Sequence, residues 1–188
     1  MSKVNYGIQD VYVAKITETD GAITYGTPFA VKGAVSMSVE PQGGDATPYY
    51  ADNMVYFMAP ATNNGYSGTL EVAITPETFL TQILGQTKYD NGMVVEKTDN
   101  TSARFALLFQ AQGDTENRRF CFYDCTAKRP SRTNETKGES IEVANDSLEI
   151  TMNGRTTDNV VKAYAEEGSS VYANWFTAVP EPPANPSI

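Results

Sequence analysis

Apolar and polar residues alternate along most of the chain, which is the pattern of half-buried β-strands. The apolar positions of the three clearest segments are Val35, Met37 and Val39; Leu70, Val72 and Ile74; and Phe105, Leu107, Phe109 and Ala111. Strands that bury one face are typical of antiparallel sheets. The pattern therefore predicts a mainly β fold, an antiparallel β-sandwich or barrel-like sheet.

Turn signals separate these strands. Asp20-Gly21 predicts a tight hairpin between residues 10–19 and 23–31, and residues 113–117 predict a second hairpin before a strand over 118–126. In residues 140–152 the apolar positions change parity, so we expect a bulge or break near Asn145.

Two segments have helical rather than alternating spacing. Residues 75–85 place Thr75 at the N-cap, Pro76 at the first helical position and Gly85 at the C-terminal end. A second short helix is predicted over 169–179, where Tyr172, Trp175, Phe176 and Val179 recur at helical spacing. A Pro-rich arm follows it. We therefore divide the chain into a β domain over 1–165 and a C-terminal helix and arm over 166–188.

Residues 41–65 fit neither pattern and predict a long loop. Its segment Thr47-Pro-Tyr-Tyr-Ala-Asp-Asn-Met-Val-Tyr-Phe57 is rich in aromatic residues, which are scarce in disordered segments. Long loops in compact domains are usually functional or disordered. Three roles are open for the tyrosines: a platform that stacks on sugars, the start of a core strand, or an interface with a neighbouring subunit.

Charge and composition exclude several classes of function. The 188-residue chain has a formal net charge of -9, which disfavours binding to nucleic-acid phosphates, and it has no histidine. No nucleotide-binding motif, catalytic constellation or metal-ligand spacing is present, and no apolar run is long enough to span a membrane. We expect no enzymatic activity, cofactor or metal, and two reduced, buried thiols at Cys121 and Cys125.

The basic run Lys128-Arg-Pro-Ser-Arg132 contrasts with the acidic chain. It is either a solvated strand end or a positive patch that meets a negative patch on another copy.

Several segments together resemble the major tail tube proteins of long-tailed, non-contractile bacteriophages. The similarity runs in order through most of the chain and is strongest in residues 47–53, 64–71, 79–85, 105–109 and 125–137. It implies a tube fold that assembles into stacked hexameric rings, through which the phage genome passes without specific binding. The virion tail would be its location, after synthesis in the host cytoplasm.

The resemblance also implies partners and contact residues. A tape-measure protein would fill the lumen, and terminator and distal tail proteins would bind the tube ends, with no membrane contact. The loop 41–65 would reach neighbouring subunits. We expect interface contacts at Tyr49, Tyr50, Asp52, Asn53 and Tyr56, with Arg129 and Arg132 as further candidates.

Two other functions remain open from the sequence, and a hydrolase comes last because it would need an acid pair that the sequence does not locate. A β-sandwich carbohydrate-binding module would use the tyrosines as a stacking row. A tube subunit of a contractile tail or of a secretion system would share the fold.

Overall fold

A computed structural model describes residues 7–134 and 143–183. Its first seven strands are β1 (Ile8–Thr19), β2 (Ala22–Tyr25), β3 (Phe29–Ala30), β4 (Ala34–Pro41), β5 (Thr47–Ala51), β6 (Met54–Ala59) and β7 (Tyr66–Val72). The helix α1 (Glu77–Gln82) follows. The remaining strands are β8 (Thr87–Lys88), β9 (Val94–Val95), β10 (Phe105–Ala111), β11 (Arg119–Ala127), β12 (Ser131–Arg132), β13 (Asp146–Asn153) and β14 (Lys162–Ala165).

Ten of the strands form one antiparallel sheet. Its main path runs β2, β1, β10, β11, β13, β7 and β4, and β3, β12 and β14 pair at its sides. Within the described residues the sheet does not close into a barrel, and β5–β6 and β8–β9 form two separate ribbons. The predicted mainly antiparallel β fold is confirmed.

Both predicted hairpins are present. Asp20 and Gly21 have positive φ angles of 52° and 78° between the paired residues Thr19 and Ala22, as a two-residue hairpin turn requires. The second hairpin joins β10 to β11. Strand β13 begins at Asp146, so the strand starts at the point where the apolar positions change parity. Residues 140–142 of the predicted segment lie outside the described part of the chain.

The sheet surrounds a first core that α1 covers at one end. Phe79 and Ile83 are fully buried and Leu84 nearly so, and the ring of Phe79 meets the ring of Phe105 edge to face. The helix is shorter than predicted, and Thr75 does not cap it. The hydroxyl of Thr75 donates instead to Asp146, 2.7 Å away. Gly85 does have the expected positive φ, 71°.

A second core lies on the other side of β10 and β11. Ala106, Leu108, Cys121 and Tyr123 are buried there under Trp175 and Val179 of the C-terminal segment. The prediction that the 105–111 strand buries only one face is therefore wrong. The C-terminal segment covers the face of this strand that lies opposite the first core. The predicted helix over 169–179 is also wrong: one 3₁₀ turn, Tyr172–Asn174, is present.

Two other strand predictions need correction. Residue pairing between β4 and β7 shifts between Ala34 and Ser36, so Val35 faces outward and is half exposed. Strand β7 ends at Val72, which leaves Ile74 exposed. A similar shift within β11 places Cys121 in the second core and Cys125 in the first. Both thiols are free and buried, as predicted.

Candidate functional site

The predicted loop 41–65 is instead an extended antiparallel arm. Beyond the last β4–β7 pair, Pro41 with Tyr66, backbone hydrogen bonds continue from Gln42 to Gly65 and from Thr62 to Gly44. The two backbone segments of the arm approach so closely there that a Cβ at Gly43 would lie 1.9 Å from the carbonyl oxygen of Thr62. The arm then ends in the β5–β6 ribbon, so the expectation of a loop is wrong.

Asp52 and Asn53 form the tip of this ribbon. Ala51 pairs with Met54, and the two residues between them have φ angles of 49° and 65°. Two successive positive φ angles define the hairpin turn in which Asn and Asp are favoured. Their structural role is thus to reverse the chain, and their predicted contact with a neighbouring subunit stays a prediction.

The ribbon exposes large apolar side chains on both of its faces. Tyr49 pairs with Phe57 on one face, which we name the Tyr49 face, and Tyr50 pairs with Val55 on the opposite Tyr50 face. Tyr49 and Tyr50 are each 64% exposed and Tyr56 is 74% exposed. Register shifts between Tyr49 and Tyr50, which leaves Tyr56 as an extra, unpaired residue of β6. None of the three tyrosines is core, which rules out the start of a core strand for Tyr56.

Four further exposed residues of the ribbon were missed from the sequence: Met54, Val55, Phe57 and Met58. The available signal was the uninterrupted apolar run from Met54 to Met58. A strand whose successive residues are all apolar presents apolar groups on both faces. In a buried strand both faces would be covered, but here neither is covered by the described part of the chain.

The two arginines of the basic run have partners within the chain. Arg132 pairs with the buried Asp146, whose carboxylate also accepts the backbone N–H of Thr75. The hydrogen bond from Arg132 is the main cause that lowers the pKa of Asp146 to about 2. Arg129 reaches Glu96 at 2.9 Å but stays largely exposed. Contacts of either arginine with another subunit remain a prediction.

Apart from Val35, the outer face of β4, β7 and β13 is polar. The side chains opposite the first core are three glutamates, four serines and two threonines: Ser36, Ser38, Glu40, Ser67, Thr69, Glu71, Ser147, Glu149 and Thr151. We name this the hydroxyl–carboxylate face. Lys128 lies beside it and pairs with Glu149 at 2.5 Å. Such a surface offers mainly oxygen atoms, and the neighbouring Lys128 is exposed but ion-paired.

The described residues contain no cluster of acidic, cysteine or histidine side chains arranged to hold a metal ion. Their helices are too short to cross a membrane. Burial raises the pKa of both cysteine thiols, so neither is suited to act as a nucleophile.

Comparison with known proteins identifies the family to which the chain belongs. No curated protein matches it. A solved structure entitled "Cryo-EM structure of the anti-feeding prophage (AFP) baseplate, 6-fold symmetrised" has a chain that is similar at 8% sequence identity and a TM-score of 0.46, with 90% of this chain and 100% of that chain covered. Residues 1–176 match the family described as phage tail tube protein. The chain therefore belongs to the phage tail tube protein family and is a structural component of a phage tail.

Proposed function

We propose that the protein is the repeating subunit of the tail tube of a long-tailed, non-contractile phage, packed into hexameric rings that stack into a hollow tube. The observation that carries this proposal is the ribbon with apolar side chains on both faces. A monomer with such a ribbon would expose a large apolar patch to water, which soluble monomers rarely do. Self-assembly removes that exposure.

Because both faces of the ribbon are apolar, we expect the ribbon to insert between two surfaces of neighbouring copies. Covering the Tyr49 face leaves the Tyr50 face in water, so one flat partner surface is insufficient. A subunit in a stack of rings has neighbours both around the ring and along the axis, and a closed ring requires different patches of two copies to meet. The ribbon would thus fill the junction between copies. A sugar-binding platform, by contrast, would place its aromatic side chains in a row on one face.

The hydroxyl–carboxylate face is the surface best suited to line the channel. DNA phosphates are repelled by Glu40 and Glu71, and the neighbouring cation Lys128 is ion-paired with Glu149, so a passing genome would slide without being held. On this proposal a tape-measure protein occupies the channel before ejection, and terminator and distal tail proteins bind the ends of the tube. Subunits are made in the cytoplasm of the bacterial host and act in the virion.

Excision of the ribbon tests the proposal. The carbonyl of Gly44 accepts the N–H of Thr62, which is the closing hydrogen bond of a two-residue hairpin, so residues 45–61 can be replaced by Asn-Gly. The shortened protein should keep its fold, because the removed side chains contribute nothing to either core. It should remain monomeric at concentrations at which the full chain forms rings or tubes.

Circular dichroism and urea unfolding would check that the shortened protein is folded, and electron microscopy would score assembly. A Tyr89→Ala variant is a suitable control, since Tyr89 is an exposed tyrosine outside the ribbon. Normal tubes from the excised protein would contradict the proposed role of the ribbon.

A further inference from the structure

A cavity of about 840 Å³ lies beside the start of the basic run. Lys128 and Arg129, which directly follow β11, line one side of it. Glu96, Lys97 and Asn100, from the segment between β9 and β10, also line it. The lining therefore holds three cations and one carboxylate, and Lys128 also pairs with Glu149 next to the cavity, in a chain whose formal net charge is -9. We name this cavity the basic cavity.

The basic cavity has hydrogen-bond donors without a partner among the described residues. The amide Nδ2 of Asn100 is shielded from solvent and meets no acceptor among the described residues. Arg129 pairs with Glu96, but Lys97 has no ion-pair partner in the described part of the chain. Buried donors are nearly always hydrogen-bonded, and leaving one unpaired costs free energy. The basic cavity therefore favours a ligand that accepts hydrogen bonds, and a carboxylate fits its charge.

The arm carries charges of the opposite sign. Between residues 42 and 64 it has two ionisable acids, Asp45 and Asp52, and no lysine or arginine. Asp45 lies near the base of the arm, next to the hydrogen bonds that join Gly44 to Thr62. Asp52 lies at the tip, beyond both apolar faces of the ribbon. It is the acid that an inserted arm would carry furthest into a neighbour.

We propose that the ribbon tip of one copy docks in the basic cavity of a second copy, with the Asp52 carboxylate facing Lys97, Asn100 and Arg129. This inference rests on the proposed function and adds the receiving site. Each copy donates one tip and receives one, as a ring of head-to-tail contacts requires. The aromatic faces supply apolar contact area, and the charged tip sets the register of the arm.

Asp52→Asn is the first test, because Asn tolerates the positive φ at this position and removes only the charge. The loss of charge should weaken the hydrogen bonds at the tip and raise the critical concentration for assembly about tenfold, which corresponds to about 1.4 kcal/mol. Asp45→Asn is the matched control and should leave the critical concentration unchanged. Added salt should weaken assembly of the parent protein more than that of Asp52→Asn.

Cross-linking tests whether the ribbon tip of one copy lies in the basic cavity of another. Because Cys121 and Cys125 are buried, Asp52→Cys with Lys97→Cys introduces two reactive thiols. A short bis-maleimide should link the double variant, assembled above its raised critical concentration, into a ladder of covalent oligomers. Asp52→Cys paired with Lys32→Cys places the second thiol on an exposed lysine outside the basic cavity, and should give no ladder.

The two proposals fail in different ways. Tubes of the parent protein, with an unchanged critical concentration for Asp52→Asn and no ladder from the double variant, would overturn the docking inference alone. Absence of rings and tubes from the parent protein, with native tail initiator proteins supplied, would overturn the proposed function first.

Discussion

Truncating one tyrosine on each face of the ribbon tests whether both faces are buried on assembly. Tyr49 and Tyr50 are each 64% exposed, and an aromatic side chain buries about 150–250 Å² when fully covered. Each tyrosine therefore leaves roughly 100–150 Å² to be covered by a neighbour, which corresponds to about 3 kcal/mol at about 25 cal/mol per Å². An alanine keeps a small part of that area, so the expected loss is about 2–3 kcal/mol for each variant.

In the assay, that loss becomes a shift in critical concentration. Tyr49→Ala and Tyr50→Ala should each raise the critical concentration for pelletable tubes by roughly 30- to 140-fold, and the double variant should fail to polymerise. The free energy of unfolding of the monomer should change by less than about 0.5 kcal/mol, because neither side chain contributes to a core. Tyr49→Phe and Tyr50→Phe are the controls, because each keeps the contact area of the aromatic ring.

The outcome separates three arrangements of the ribbon. A large effect at both tyrosines supports insertion between two surfaces. A large effect at one tyrosine alone would mean that the ribbon lies on a single surface with its other face in water, and the two-sided reasoning would be wrong. Unchanged tubes from the double variant would remove the ribbon from the assembly.

Three further predictions concern single side chains. Trp175→Ala should lower the free energy of unfolding by about 3–5 kcal/mol, measured by urea unfolding with circular dichroism, because it empties a buried site and leaves the carbonyl of Phe120 without its indole donor. Arg132→Ala should destabilise the protein at neutral pH; since the pKa of Asp146 is lowered in the folded state, the deficit should shrink as the pH falls from about 4 to about 2. Glu40→Lys should slow genome ejection from assembled virions relative to Glu40→Gln, if the hydroxyl–carboxylate face lines the channel.

The period-two pattern was sufficient for the sheet because one face of most strands packs on the first core. It failed at Val35, where a bulge reverses the facing of the side chain, and a bulge leaves no clear mark in a short strand. It also missed the double burial of β10, which depends on the remote C-terminal segment. Helical spacing around Trp175 reflected contact with the sheet rather than an α-helix.

The sequence marks the arm as an unusual segment but predicts a loop there instead of an antiparallel ribbon. Strand detection relies on alternation, and alternation is absent where both faces of a ribbon are apolar. The partner of Arg132 was equally hidden, because Asp146 lies on a different strand and meets Arg132 only through the β12–β13 pairing. The basic cavity combines residues from two separated segments, so no local motif could reveal it.

Negative-stain electron microscopy of the purified protein over a concentration series, with light scattering on the same samples, tests the central claim most directly. The account predicts rings or tubes with a central hole above a critical concentration, and sixfold symmetry in end-on views. A monomer at every concentration, also after addition of native tail initiator proteins, would contradict it.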